Sequence, residues 1–112
     1  MTLELNGIDV DCIIGDLPEE RVRTQRLRVD VRLSIPDRSA QSDCLGDTVD
    51  YAGLTERIRN ALAAAECRMI ERAAKVAHDV CMREPNAVAA TVKVTKAGSV
   101  PHLASATAVY PE

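Results

Sequence analysis

One lysine of this sequence stands where an apolar strand pattern ends, a position from which its amine could act in acid–base chemistry. Apolar residues occupy every second position from Val88 to Val94, and Lys96 takes the next place on that row, ahead of Gly98 and Pro101. Alternate side chains of a strand point to the same face, so the amine is directed towards the core. Lys96 then either ends the strand with its amine in solvent or holds a partly desolvated amine whose charged form is disfavoured. The second alternative suits an acid–base catalyst and predicts an enzyme.

The size and composition of the chain fit one domain over residues 1–112. Of these 112 residues 46% are hydrophobic, enough for an adequate core at this length. Only 2% are aromatic, supplied by Tyr51 and Tyr110. Because so few large side chains are available, we expect subunit contacts to add to the apolar burial and the protein to be an oligomer.

The charge of the chain argues against a nucleic-acid-binding protein. Its net charge is -3, whereas phosphate binding needs a surplus of Lys and Arg. The one basic stripe, Arg26, Arg28 and Arg32, alternates with apolar residues and is interpreted as the solvated face of a strand. No stretch approaches the roughly 18 apolar residues of a membrane span, and the start from Met1 to Glu4 is not typical of a signal peptide. We therefore expect a cytoplasmic protein with no nucleic-acid or membrane partner.

The cysteines and histidines form no recognisable metal-binding motif. The four cysteines have no C-x-x-C spacing, and His78 lies one helical turn before Cys81. The only other histidine is His102, and no third ligand is suitably spaced for zinc. We expect free buried thiols and no metal site.

Hydrophobic periodicity predicts a hairpin at the start of the chain. The first strand, Leu3 to Ile14, alternates apart from a phase slip at Asn6-Gly7 that is typical of a bulge. The second strand alternates without error from Leu27 to Ile35 and should pair with the first. The connection that follows, Pro36 to Asp50, is long and polar for so small a domain and is therefore a candidate for function.

Two helices and two further strands are predicted after that connection. Apolar residues recur at helical spacing from Leu54 to Leu62 and again from Ile70 to Cys81. No Gly or Pro separates them, yet one helix of about 30 residues would be unusually long, so we expect a break near Ala65 to Met69. Ala87 to Thr95 and Ala104 to Tyr110 form the last strands. The order β-β-α-α-β-β predicts an α+β fold with a four-stranded antiparallel sheet and two helices on one face.

A set of polar and glycine positions occurs on this framework in a distinctive order. Each motif is weak alone, and together they are fairly specific. The set is Gly15, Glu20, Gln25, Ser42-Asp43, Asp47 to Tyr51, Met69 to Glu71 and Val94 to Lys96. In order and spacing it resembles the dihydroneopterin aldolase family, tunnelling-fold pterin enzymes that include dihydroneopterin triphosphate epimerase. The similarity runs from about Ile8 to Val109.

The resemblance implies an assembly as well as a fold. Members of the family have the tunnelling fold, with the β-β-α-α-β-β order given above, and join their sheets into a barrel-like ring. Two tetrameric rings commonly stack into a homo-octamer. Joining the sheets pairs the edge strands that a lone sheet leaves open. We therefore expect self-association into tetramer rings or an octamer, with the pterin bound where adjacent subunits meet.

The resemblance assigns pterin binding to Glu71 as the anchor and to Ile70, whose backbone meets the same ring, with Val49 as a further substrate contact. A pterin presents two adjacent N–H donors and one carbonyl acceptor along one edge. An ionised carboxylate accepts both donors, and a free amide in the first turn of a helix can face the carbonyl. From the pattern alone, Glu71 could also be a surface residue paired with Arg68 or Arg72.

The resemblance implies Lys96 and Tyr51 as catalytic residues, with Tyr51 and Glu20 contributed by the neighbouring subunit. The implied reaction splits 7,8-dihydroneopterin into 6-hydroxymethyl-7,8-dihydropterin and glycolaldehyde, a step of folate biosynthesis. Electrons of the broken C–C bond can flow into the C=N of the dihydropterin, so no metal or organic cofactor is required. Lys96 would carry the ring-side protons and Tyr51 the proton of the 2′-hydroxyl, while Glu20 holds the trihydroxypropyl chain or supports the lysine.

Other functions stay open at this point. The same intermediate can recombine on its other face, which would make the protein a 2′-epimerase of dihydroneopterin or of its triphosphate. A triphosphate calls for extra basic groups, for which Arg21 and Arg23 are the only nearby candidates. The second alternative is a non-catalytic ring that binds pterins or purines. Two departures from the family, Cys67 in place of an aromatic residue and Ala97 in place of a proline, concern substrate preference more than fold.

Overall fold

Four antiparallel strands form a single sheet in the order β1-β2-β3-β4 in the computed structural model, which describes residues 1–112. Three helices lie between the second and third strands. The elements are β1 (Thr2–Cys12), β2 (Gln25–Ser34), α1 (Arg38–Ser42), α2 (Tyr51–Ala65), α3 (Ile70–Met82), β3 (Ala89–Val100) and β4 (Leu103–Tyr110). The predicted order is confirmed, with α1 and two 3-10 turns, Pro18–Val22 and Leu45–Asp47, added in the connections.

The alternation of β2 separates the two faces of the sheet. Its apolar residues from Leu27 to Leu33 are at most 2% exposed, while Arg26, Arg28 and Arg32 lie exposed on the other face. In β3 the residues Ala90, Val92 and Val94 belong to the buried face, and Leu27 lies opposite Lys96. Side chains opposite each other in a ladder share a face, so Lys96 points to the helix side, as the period of two predicted.

The predicted bulge lies in β1 at Asn6-Gly7. Leu5 pairs with Val31 and Ile8 with Val29, so two residues of β1 face one residue of β2. The extra residue keeps both Leu5 and Ile8 on the buried face. Gly7 adopts a φ of 76°, and its amide donates to Asp30 Oδ1 at 2.7 Å.

The break between the two main helices is confirmed. Helix α2 buries Leu54, Ile58 and Leu62 against the sheet and ends at Glu66, whose φ of 46° is left-handed. Helix α3 buries a row of small residues, Ala73, Ala74, Ala77, Val80 and Cys81. The two helices cover one face of the sheet and, with the strands, enclose a core that contains no aromatic side chain.

The prediction that the third strand ends at Thr95 is wrong. Strand β3 runs to Val100, because Gly98 with a φ of 73° allows an irregularity in the ladder between Ala97 and Val100 and pairing then resumes at Leu103. The resulting hairpin is mostly exposed. Strands β1 and β4 each keep one unpaired edge in the single chain, and the ring that would pair them stays a prediction. No helix is long and apolar enough to cross a membrane.

Asp50 fixes where helix α2 begins, and its removal should destabilise the fold. Its Oδ1 accepts the amide of Gly53 at 3.2 Å, which caps the helix directly before Tyr51. We expect Asp50→Ala to lower the free energy of unfolding by about 1 kcal/mol and Asp50→Asn to retain most of it, because an amide oxygen also caps. Urea unfolding measures both. An equal loss in the two variants would contradict the capping role.

Candidate active site

Lys96 and Glu20 form an ion pair at the end of the sheet. Lys96 Nζ lies 2.6 Å from Glu20 Oε2, and the two side chains are only 12% and 11% exposed. Glu20 belongs to the 3-10 turn Pro18–Val22, between β1 and β2. Lys96 is therefore not a strand end that reaches solvent. The period-2 pattern indicated apolar neighbours for this amine, and the structure adds a carboxylate that the pattern did not contain.

Three further groups hold the Glu20 carboxylate. Gln25 Nε2 donates to Glu20 Oε2 at 3.0 Å and to the Ile14 carbonyl at 2.7 Å, which connects the carboxylate to the chain just after β1. The Leu17 amide donates to Oε1 at 3.3 Å. Gly15 packs directly beneath, since a Cβ there would lie 2.3 Å from the Glu20 carboxyl carbon, and its φ of 125° also favours glycine. Both oxygens of the carboxylate are hydrogen-bonded as a result.

These contacts keep Glu20 ionised. The hydrogen bond from Lys96, followed by that from Gln25, lowers the pKa of Glu20 from 4.5 to about 2, against the opposing effect of burial, and the Leu17 amide adds to the lowering. At neutral pH the pair is thus a carboxylate and an ammonium in contact. The contact fixes where the Lys96 nitrogen lies.

The start of α3 lies at the same end of the molecule. The Gly15 amide donates to the Cys67 carbonyl at 3.2 Å, which brings the turn that carries Glu20 against the connection between α2 and α3. Ile70 and Glu71 follow directly as the first residues of α3. No side chain caps this helix, so its first amides are left without an intrahelical acceptor.

Glu71 has no partner within the chain. It is exposed and makes no hydrogen bond or ion pair, while Arg68 instead pairs with Asp16 at 3.0 Å. The alternative that Glu71 is neutralised by Arg68 is therefore wrong, and Arg72 makes no ion pair either. A free carboxylate beside free amides is the donor and acceptor set that the edge of a pterin or guanine requires.

Tyr51 and Val49 lie at the opposite end of the chain. Tyr51 begins α2 beside Leu3, and the helix runs 15 residues to the end that adjoins Gly15, a length of about 21 Å. Because no side chain is that long, Tyr51 and Lys96 of the same chain cannot meet. Tyr51 is 57% exposed on the wall of a concavity of about 310 Å³, whereas the Val49 side chain is buried, which leaves only its backbone for contact with a ligand.

The comparison with known proteins identifies the family. The family model for dihydroneopterin aldolase matches residues 3–110. The chain belongs to the dihydroneopterin aldolase family. No curated protein sequence matches it significantly.

Solved dihydroneopterin aldolases share its fold. The Escherichia coli aldolase in complex with neopterin has a TM-score of 0.90 at 22% identity, with 97% of this chain and 96% of that chain covered. A putative aldolase from Vibrio cholerae gives 0.87 at 21%, with coverage of 97% and 93%. A Burkholderia aldolase bound to guanine gives 0.80 at 19%, with coverage of 97% and 87%. The predicted tunnelling fold of the subunit is thereby confirmed.

The structure brings some predicted site residues together and separates others. Lys96, Glu20, Ile70 and Glu71 share one end of the subunit, and Tyr51 lies at the other. Glu20 was expected from the neighbouring subunit, but the turn after β1 places it in contact with Lys96 of its own chain, which is the lysine-supporting alternative. Arg21, considered above only as a candidate for a triphosphate, instead has a structural role. Its contacts are to backbone carbonyls, which have no signature in a sequence.

The low pKa of Glu20 predicts a pH-dependent contribution to stability. A carboxylate that ionises at about 2 in the folded chain and at 4.5 otherwise stabilises the fold above pH 4.5, and this contribution is lost as the pH falls towards 2. The difference in the free energy of unfolding between wild type and Glu20→Gln should therefore shrink over that range in urea unfolding. Glu19→Gln, on an exposed side chain without partners, is the control. A difference that does not change with pH would contradict the assignment.

Proposed function

We propose that the protein is a lyase that cleaves 7,8-dihydroneopterin into 6-hydroxymethyl-7,8-dihydropterin and glycolaldehyde in folate biosynthesis. The observation that carries this proposal is the fixed pair of Lys96 and Glu20 at the same end of the subunit as an unpaired Glu71. Membership of the dihydroneopterin aldolase family supports it. So do the neopterin and guanine named with two of the solved relatives, since both molecules carry the same edge of donors and acceptor.

Glu71 and the amide of Ile70 are proposed to bind that edge. The carboxylate accepts the two N–H groups of the substrate, and the amide donates to its carbonyl. A partial positive charge at the N-terminus of α3 stabilises the ionised carboxylate. The substrate ring is thereby oriented with its C=N bond available to a second group, which we assign as Lys96.

The proposed cleavage needs proton transfers only. A base removes the proton of the 2′-hydroxyl, the C1′–C2′ bond breaks, and glycolaldehyde leaves. The electron pair of that bond moves into the ring C=N, whose nitrogen takes a proton from the ammonium of Lys96. Protonation of C1′ and return of the nitrogen proton then give 6-hydroxymethyl-7,8-dihydropterin, and electrons balance without a metal or cofactor. Glu20 holds the lysine in place throughout.

A second subunit is proposed to supply Tyr51. Within one chain the length of α2 keeps Tyr51 about 21 Å from the end that carries Lys96. The unpaired edges of β1 and β4 allow neighbouring sheets to join, and a ring formed in this way would bring the Tyr51 end of one subunit to the Lys96 end of the next. We propose tetramer rings or an octamer on this ground, with the backbone of Val49 beside Tyr51 at the substrate.

The epimerase of a triphosphate is less well supported by the charges. Arg21 is bound to backbone carbonyls and is not free for phosphate. Arg26 pairs with Asp11, Arg28 with Asp30 and Arg32 with Glu4, so among the arginines of β2 and of the turn before it only Arg23 is unpaired. A non-catalytic ring would have no need for a buried pair of charges, which is costly to desolvate. We accordingly propose dihydroneopterin itself as the substrate and place the reaction in the cytoplasm, where free thiols remain reduced.

Replacing Lys96 tests the reaction directly. Wild type incubated with 7,8-dihydroneopterin in the presence of a chelator should release hydroxymethyldihydropterin, whereas monapterin as the sole product would indicate an epimerase. Lys96→Met should lower kcat by at least about 100-fold with little change in KM, because a proton donor is lost while the binding groups remain. Lys93 is exposed on the opposite face of the same strand, so the control variant Lys93→Met should retain full activity.

Two results would contradict this assignment. One is a wild-type protein that binds neopterin and yields neither product. The other is full activity in Lys96→Met. The double variant Glu20→Gln/Lys96→Met, which leaves no unpaired buried charge, should be equally inactive and checks that the loss does not come from unfolding.

Mixed oligomers test the origin of Tyr51. Tyr51→Phe and Lys96→Met should each be nearly inactive alone. When the two variants are unfolded, mixed in equal amounts and refolded together, about a quarter of the subunit junctions should combine an intact Tyr51 with an intact Lys96. Recovery of activity towards that fraction, measured by product formation, is the expected result. Failure to recover any activity in oligomers shown to be mixed would place both residues in one chain's site.

A further inference from the structure

The guanidinium of Arg21 binds three backbone carbonyls that belong to two distant segments. Its Nη1 donates to the Gly15 carbonyl at 3.1 Å and to the Cys67 carbonyl at 3.3 Å. Its Nη2 donates to the Glu66 carbonyl at 2.8 Å. The side chain therefore joins the turn after β1 to the connection between α2 and α3, across a separation of 46 residues, and adds to the backbone hydrogen bond from Gly15 to Cys67.

The segment that follows α2 presents acceptors for which a cation is a suitable partner. Glu66 follows the last residue of α2 in a left-handed conformation, and carbonyls at the end of a helix have no intrahelical donor. A cation is favoured there by the helix dipole. The planar, forked guanidinium can reach all three carbonyls at once, which the single nitrogen of a lysine cannot do in the same geometry.

Each segment leads directly to one half of the proposed site. Arg21 is the residue after Glu20, whose carboxylate holds Lys96. The other segment continues from Cys67 into Ile70 and Glu71 at the start of α3. We propose that Arg21 is a positioning residue that fixes the distance between the Lys96–Glu20 pair and the ring-binding start of α3. This inference rests on the proposed function for its consequence in catalysis.

Arg21 is not proposed to touch the substrate, because both of its terminal nitrogens are occupied by carbonyls of its own chain. Loss of this link leaves Glu71 and Ile70 on α3, which stays packed on the sheet through Ala73 and Ala74. Binding of the ring should then persist while the ring and the proton donor lose their alignment. A misplacement of about 1 Å can cost on the order of 100-fold in rate.

The test compares Arg21→Met with Arg23→Met, two positions along and without any hydrogen bond or ion pair. Arg21→Met should lower kcat for dihydroneopterin about 10- to 100-fold while the Kd for neopterin, followed by its fluorescence, changes less than about twofold. Amide hydrogen exchange should become faster in residues 13–20 and 66–71 but not in β2. Arg23→Met should match the wild type in all three measurements. Arg21→Lys should recover only part of the rate.

Three results would overturn the inference. The first is unchanged exchange in residues 66–71 of Arg21→Met. The second is a Kd for neopterin that rises as much as kcat falls, which would make Arg21 a binding residue. The third is full activity in Arg21→Lys. If the wild type neither binds neopterin nor cleaves dihydroneopterin, the proposed function fails, and the exchange measurement still decides whether Arg21 couples the two segments. Should Arg21→Met not fold, Arg21→Gln and Arg21→Lys provide the same comparison.

Discussion

The contact between the Lys96 ammonium and the Glu20 carboxylate is the interaction on which the rest of this subunit's arrangement depends. Removing two charges from water costs several kcal/mol per ion, and their attraction offsets this cost only when the remaining hydrogen-bonding capacity is also satisfied. Gln25 and the amide of Leu17 supply donors for the carboxylate. The register of β2 with β3 determines where Lys96 lies along the sheet. The turn after β1 determines where Glu20 lies relative to it. A shift in the register or in the turn would leave a buried charge without its partner.

The geometry divides the functional groups of one chain between two ends. The groups proposed for proton transfer and ring binding lie together near the turn after β1 and the start of α3, and the exposed Tyr51 lies a helix length away. Under the proposed function, such a subunit would carry two half-sites and complete neither by itself. The open edges of its sheet and its core without aromatic side chains are features of a chain that gains burial by association. Catalysis by this protein would then require its assembly.

Much of the framework could be predicted because it rests on local patterns. The alternation of β2, the slip at Asn6-Gly7 and the helical spacing on either side of the break report burial directly, and the same period of two placed Lys96 on the core side. The end of β3 was missed because a positive-φ glycine can continue a ladder as well as end it. The partner of Lys96 lies 76 residues away, and the carbonyls bound by Arg21 carry no residue identity at all. Contacts of these two kinds form only when the chain folds, and no periodicity in the sequence indicates them.

The contact between Gly15 and Glu20 restricts how such a sequence can diverge. There is no room for even a methyl group against the carboxyl, so a larger residue at 15 demands a shorter or displaced one at 20. The lysine would then lose its counter-ion. Residue 15 can therefore gain a side chain only if residue 20 changes with it, whereas residue 20 can change while the glycine stays. Where the glycine is exchanged in a descendant of this chain, a different chemistry is to be expected.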